Sequence, residues 1–277
     1  MRSISLSQKE IGNLIREVAR RTLNRIPVTN QYEFIRVKDG DIFFILHNTG
    51  KIVFQESKGF DSFLDDILVR EDHSIIGTDE VGKGEWYGPL VVAGIALNPD
   101  ETIKLRKMGV GDSKGLSSFR IYEIGKFLEK SDIEKATRIL LPEEYNKMYE
   151  EFEKEKKNLN DILAWAHTEI IQDLLTKAPS EKITVVIDKF DSSASSERFK
   201  KLDEFDVDII QKTGGESETA VAAASVLAKL IFEKHLKKLN QKFGLDLRNA
   251  DPGDIPEDIL PMVAKLHFRN VKKVLKG

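Results

Sequence analysis

The chain has 277 residues, with 43 Lys or Arg against 46 Asp or Glu, a formal net charge of −3 and no cysteine. That length suits one large or two ordinary domains, and the lack of thiols excludes disulfide frameworks, Cys-ligated zinc, iron–sulfur clusters and thiol nucleophiles. No apolar run reaches the roughly 18 residues that span a bilayer, and Met1–Glu10 lacks the apolar stretch of a signal peptide, so a soluble cytoplasmic protein is expected.

Ser5–Thr22 reads as an amphipathic helix, with Ile11, Leu14, Ile15 and Val18 at helical spacing. Tyr32–Val37, Asp41–His47 and Lys51–Gln55 read as short strands, joined by turns at Lys38-Asp39-Gly40 and Asn48-Thr49-Gly50. Phe60–Val69 returns to helix. These elements predict a small α+β domain over residues 1–70. It has a surplus of base: residues 1–60 hold ten Lys or Arg and six Asp or Glu.

A second domain is predicted over residues 74–277. Ser74–Asp79, Leu90–Leu97, Lys135–Leu141, Ile183–Ile187 and Val207–Ile210 read as strands. Pro142-Glu143-Glu144 opens a helix, since proline suits the first turn and acids suit the N-terminal dipole. Leu159–Leu175 is another helix, and Glu150–Lys157 is a solvated charged surface. Ser217–Leu239 is a long helix whose Ala220 and Ala222–Ala224 allow close packing on a sheet. Pro252, Pro256 and Pro261 mark a loop before a basic helix, Val263–Leu275. Strands mixed with helices predict an α/β layer fold. The basic stretches suit a polyanionic partner, or simply solvated helix faces.

The densest signal is Gly77-Thr78-Asp79-Glu80-Val81-Gly82-Lys83-Gly84, followed by Gly88-Pro89. Gly77 to Lys83 imitates the start of a phosphate-binding loop. Gly84 stands where Ser or Thr must hold the nucleotide's magnesium, two acids sit inside the cradle, and no helix follows. Adjacent carboxylates at a strand end suit another task, since their hard oxygens are ligands for Mg²⁺. The glycines let a substrate backbone come close, and Lys83 adds positive charge. Asp188 closes an apolar strand, and Glu216 and Glu218 precede the alanine-rich helix. Each of these acids also has a plain reading as a turn or helix-terminal residue, and spacing leaves both readings open.

The run Asp79-Glu80-Val81-Gly82-Lys83-Gly84 with Gly88-Pro89 resembles the signature of type 2 ribonucleases H. Gly111-Asp112-Ser113-Lys114, Ile187-Asp188 and Val221–Ser225 with Lys229 resemble the motifs that follow it. Lys51–Gln55, Asn158–Asn160 with Leu163–Trp165 and His167, Asp188–Phe190 and Lys265–Phe268 resemble the ribonuclease HIII branch, whose extra N-terminal domain is similar to the TATA-binding protein.

The resemblance implies an α/β fold: an RNase H-like mixed sheet flanked by helices, preceded by the small α+β domain and followed by C-terminal helices. It implies an endonuclease that cleaves the RNA strand of RNA/DNA hybrids by two-metal-ion catalysis. The cation would be Mg²⁺, with Mn²⁺ as a substitute, and the ends 5′-phosphate and 3′-hydroxyl. Asp79, Glu80 and Asp188 fall on the first three catalytic, metal-binding acids. Glu216 is favoured as the fourth, with Glu218 its competitor. Gly82, Lys83 and Gly84 would meet the ribose 2′-hydroxyl, Lys83 and Lys114 the phosphates, and Ser113 belongs to the same substrate-binding set. The N-terminal sheet would bind the hybrid. His167 and His267 are expected to be structural or adjacent to substrate, and the protein to be a monomer. Two alternatives stay open: ribonuclease HII-like incision at single embedded ribonucleotides, and a non-catalytic hybrid-binding module.

Overall fold

The computed structural model describes residues 1–111, 117–177, 182–188, 199, 202, 204–205, 207–212 and 218–276. Its first helix, α1 (Gln8–Arg20), starts later than the apolar spacing suggests, because Ser7 and Glu10 form a capping box. The Ser7 hydroxyl accepts from the Glu10 amide at 3.3 Å and the Glu10 carboxylate accepts from the Ser7 amide at 2.8 Å. The residues ahead of it form strand β1 (Arg2–Ser5), too short to show a period in sequence.

Strands β2 (Glu33–Asp39), β3 (Ile42–His47) and β4 (Lys51–Phe54) and helix α2 (Lys58–Ile67) complete the first unit. Its antiparallel sheet has the order β1-β4-β3-β2. One face is closed: Ile4, Ile35, Val37, Phe44, Leu46, Ile52 and Phe54 pack with Leu14 and Val18 of α1 and Phe60, Phe63, Leu64 and Ile67 of α2. By strand alternation and register, the opposite face carries Ser3 and Ser5, Lys51 and Val53, Phe43 and Ile45, and Phe34, Arg36 and Lys38. Neither helix covers it, and Phe34 remains 53% exposed there.

The second sheet has the order β7-β6-β5-β8-β9, built from β5 (Ser74–Val81), β6 (Leu90–Leu97), β7 (Lys135–Leu140), β8 (Ile183–Asp188) and β9 (Asp208–Lys212). The β5–β6 and β6–β7 pairs are antiparallel, whereas β5–β8 and β8–β9 are parallel. Helices cover both faces, which explains why β6 is apolar at every position. Its Val91, Ala93, Ile95 and Leu97 join a core with α3 (Pro99–Lys107), α4 (Ser118–Lys130) and α7 (Thr219–Phe243). Its Leu90, Val92 and Ala96 face α5 (Pro142–Lys154) and α6 (Leu159–Leu175). Helix α3 opens on Asn98-Pro99-Asp100-Glu101, which forms a second capping box. Helix α7 ends at Gly244, which takes a left-handed turn at φ 66°.

One expectation is corrected here. The basic C-terminal helix is not continuous: α8 (Leu260–Val263) and α9 (Arg269–Leu275) flank a strap, residues 264–268. Hydrogen bonds outside the helix pull this strap straight. The Asn146 amide donates to the Ala264 carbonyl at 2.9 Å and accepts from the Leu266 amide at 2.9 Å, and the Lys265 amide donates to the Trp86 carbonyl at 2.7 Å.

Candidate active site

Thr78 of β5 pairs in parallel with Ile187 of β8. Asp79 and Asp188 are the next residues on each strand, so two carboxylates stand at the same level on strands about 4.8 Å apart. Helix α7 runs along β5 on this side. The Ser225 hydroxyl hydrogen-bonds the Asp79 carboxylate, and the Glu80 amide donates to Asp79 Oδ1 at 2.8 Å. Burial, with the neighbouring charges of Glu80 and Asp188, pushes the Asp79 carboxyl up to about 6, against the pull of Ser225.

Glu80 points to the opposite face of the sheet, as the next residue on a strand must. There it meets α6: His167 Nε2 lies 3.4 Å from Glu80 Oε2, and Lys83 Nζ lies 3.6 Å from Oε1. Burial alone raises the Glu80 carboxyl. His167 and Lys83 outweigh it and hold the group below its ordinary value.

Gly82, Lys83 and Gly84 continue directly from β5. Gly82 sits at φ 94°, and a Cβ there would lie 2.2 Å from the Pro89 carbonyl oxygen, so only glycine fits. Gly84 is exposed, with open space at its Cα. Trp86 and Tyr87 pack edge to face at 5.4 Å and lie against the core. The loop is held from behind by the strap. The Lys265 amine, 1% exposed, donates to the Glu85 and Tyr87 carbonyls at 2.9 Å each. The Gly88 amide donates to the Val263 carbonyl at 2.9 Å.

Asp79, Glu80, Asp188, Gly82, Lys83 and Gly84 therefore gather at one end of β5 and β8. Glu216, Ser113 and Lys114 lie outside the described residues. Glu218 is half-buried at the start of α7, about 10 Å along the helix from Ser225 at 1.5 Å per residue. It lines a cavity of about 470 Å³ between the two units, together with Glu10, Ile75, Arg106 and Gly111.

The donor set fits a hard divalent cation. Asp79 and Asp188 repel one another, and a bound cation relieves that repulsion. Among the described residues no three His, Asp or Glu side chains close on one point. Sequence reasoning expected His167 to be structural or adjacent to substrate, and named Ser225 and Lys265 without roles. Ser225, Lys265 and Thr78 carried only motif membership as a signal.

The family profile described as "Ribonuclease HII" matches residues 76–251. A curated relative, "Ribonuclease HIII" of Chlamydia felis (strain Fe/C-56), is 32% identical over 271 residues, covering 88% of each chain. "Ribonuclease HIII" of Protochlamydia amoebophila (strain UWE25) is 31% identical over 211 residues, covering 72% of this chain and 68% of that one. Among solved structures, Bst-RNase HIII in complex with Mn²⁺ shares the fold with TM-score 0.64 at 24% identity, covering 99% of this chain and 98% of that one. Aquifex aeolicus RNase H3 does so with TM-score 0.57 at 22% identity, covering 96% and 100%.

Proposed function

The chain belongs to the ribonuclease HIII family, and from that membership we propose that it hydrolyses the RNA strand of RNA/DNA hybrids endonucleolytically at the Asp79–Asp188 end of the catalytic sheet. The observation that carries this reading is the pair of aspartates on neighbouring parallel strands, beside Glu80. Asp79 and Asp188 would hold a divalent cation, with Glu80 and Glu216 completing its surroundings. Mg²⁺ is the expected ion and Mn²⁺ a substitute. Such ions, when bound, supply Lewis-acid activation of the attacked phosphodiester and neutralise charge on the departing oxygen.

The chain's own residues do the rest. Ser225 orients Asp79 from one face of the sheet. Gly82 and Gly84, without side chains, let the backbone reach the ribose 2′-hydroxyl that separates RNA from DNA. Lys83, Ser113 and Lys114 are assigned to the substrate strand. Cleavage leaves 5′-phosphate and 3′-hydroxyl ends. Residues 1–70 form the substrate-binding domain, and their uncovered sheet face lies against the hybrid's backbone and minor groove. No helix among the described residues is long and apolar enough to cross a membrane, and a cytoplasmic monomer accords with this reading.

Three end-labelled duplexes with Mg²⁺ and then Mn²⁺ test it: an RNA/DNA hybrid, a DNA duplex with one ribonucleotide, and plain DNA. Cleavage at many positions of the hybrid alone is expected. Incision at the single ribonucleotide would move the assignment to HII-like activity, and binding without cleavage would leave a hybrid-binding module. Asp79→Asn and Asp188→Asn should each abolish cleavage while keeping hybrid affinity. A near-normal rate in either removes that residue from the site.

A further inference from the structure

Glu80 and Asp79 are each met by a polar side chain from the helix that covers their own face of the sheet. For Asp79 the partner is Ser225 of α7. For Glu80 it is His167 of α6, which is fully buried. We propose that His167 is a positioning residue for the reaction: it aims the Glu80 carboxylate at the cation site. This rests on the functional reading above and deepens it.

The geometry is a short relay. Thr78 and Glu80 project from the same face of β5, about 6.6 Å apart along the strand, and the imidazole bridges the two. Its Nδ1 lies 2.8 Å from Thr78 Oγ1, and its Nε2 faces Glu80 Oε2. A carboxylate only accepts, so Nε2 carries the hydrogen. In the neutral ring Nδ1 then accepts from the Thr78 hydroxyl, which fixes both the tautomer and the ring plane. At 3.4 Å the Nε2 contact is longer than a formed hydrogen bond. It directs the carboxylate electrostatically and leaves its lone pairs for a ligand.

A plain packing role explains this arrangement poorly. His167 sits among Leu163, Ala164, Ala166, Ile170 and Ile171, all buried on α6. Leucine or methionine would fill that space without the cost of desolvating an imidazole. The imidazole's Nδ1 is held by Thr78, and its Nε2 faces Glu80, the site acid two residues further along β5.

The test uses the full chain, with Mn²⁺ alone titrated by calorimetry and hybrid cleavage followed across Mn²⁺ concentrations. His167→Met fills the volume without a donor. His167→Gln keeps an N–H near the Nε2 position. Mutating an outer partner of a metal ligand costs about 10–100-fold in affinity, and that loss is expected for His167→Met, with an unchanged thermal midpoint and KM for the hybrid. Cleavage should recover as Mn²⁺ is raised, and His167→Gln should restore most of the affinity. Thr78→Val, which keeps the imidazole but frees its ring plane, should weaken Mn²⁺ binding less, and it decides the matter if His167→Met does not fold.

Wild-type Mn²⁺ affinity in His167→Met overturns the proposal, as does wild-type affinity in Thr78→Val where His167→Met is not obtained. Equal loss in the Met and Gln variants, with lowered thermal midpoints and no recovery at high Mn²⁺, also overturns it and leaves His167 a packing residue. If the unmodified chain neither binds Mn²⁺ nor cleaves the hybrid, the functional reading itself fails. A cleaving enzyme indifferent to His167→Met removes only the positioning role.

Discussion

A Cβ built on Gly77 would stand 2.2 Å from the Val221 backbone nitrogen and 2.3 Å from the Ala220 carbonyl carbon. Strand β5 and helix α7 thus touch backbone to backbone, four residues before Ser225 reaches Asp79. Gly77→Ala must push the helix off the strand, since no flexible side chain is there to yield. Overpacking of this kind costs roughly 1–3 kcal/mol, and it should also withdraw Ser225 from Asp79. A lower thermal midpoint together with slower hybrid cleavage is expected. Gly84→Ala, placed in open space, should leave the midpoint where it is. Equal midpoints for Gly77→Ala and the unmodified chain would contradict the close contact.

Lys265 gives the fold a pH dependence of its own. Burial drives its amine down to about 7, though Glu85 pulls the other way. The unfolded lysine titrates near 10.4. Between those values the unfolded chain binds more protons than the folded one, so stability rises with pH across that window. A neutral amine has two N–H donors, and two carbonyls, Glu85 and Tyr87, receive them. Lys265→Met should flatten the rise in thermal midpoint between pH 7 and 9. It should also raise KM for the hybrid, because the 82–89 loop loses its backing. A slope identical to that of the unmodified chain would show that the amine does not titrate there.

The sequence carried the strands other than β1, the Leu159–Leu175 helix and the acidic signature, because periodicity and a dense motif are local properties. It did not carry the break in the C-terminal helix. That depends on Asn146 and Lys265 competing for backbone groups more than a hundred residues away. Nor did it show that Asp79 and Glu80, adjacent in the chain, are oriented by different helices. Strand alternation predicts opposite faces, but only the packing of α6 and α7 supplies His167 to one and Ser225 to the other. Glu10 carried no signal of its own in the sequence. Its burial arises only when the two units meet.

That meeting is itself testable. The Glu10 carboxylate accepts from Arg106 of α3 at 2.6 and 2.9 Å and from the Val69 amide at 3.0 Å. Burial raises its pKa, and Arg106 together with the Ser7 and Val69 amides more than reverses this, leaving it below the ordinary value. A depressed acid stabilises above its unfolded pKa, near 4.3, and loses that contribution as pH falls through the folded value. Glu10→Ala should cost roughly 1.5–3 kcal/mol at pH 7, the range for hydrogen bonds to charged groups. The difference from the unmodified chain should shrink in acid. Chemical denaturation at pH 7 and pH 3.5 measures both, and a pH-independent difference would rule out the carboxylate as the source.

The uncovered face of the first sheet is where charge and apolar surface coincide. Phe34 is 53% exposed, and Arg36, Lys38 and Lys51 share its face by register. A basic side chain on phosphate releases counterions, so each lost contact lowers the slope of log affinity against log salt by about 0.9. Lys51→Glu should weaken hybrid binding and flatten that slope. Phe34→Ala should weaken binding with the slope unchanged, since it removes contact area and no charge. Mn²⁺ affinity should stay as it is in both, because the aspartates lie on the other sheet. Fluorescence anisotropy with a labelled hybrid between 50 and 200 mM salt, the ordinary span for such slopes, separates the two effects. Unchanged Kd in both variants would place the hybrid elsewhere and leave this domain without a part in binding.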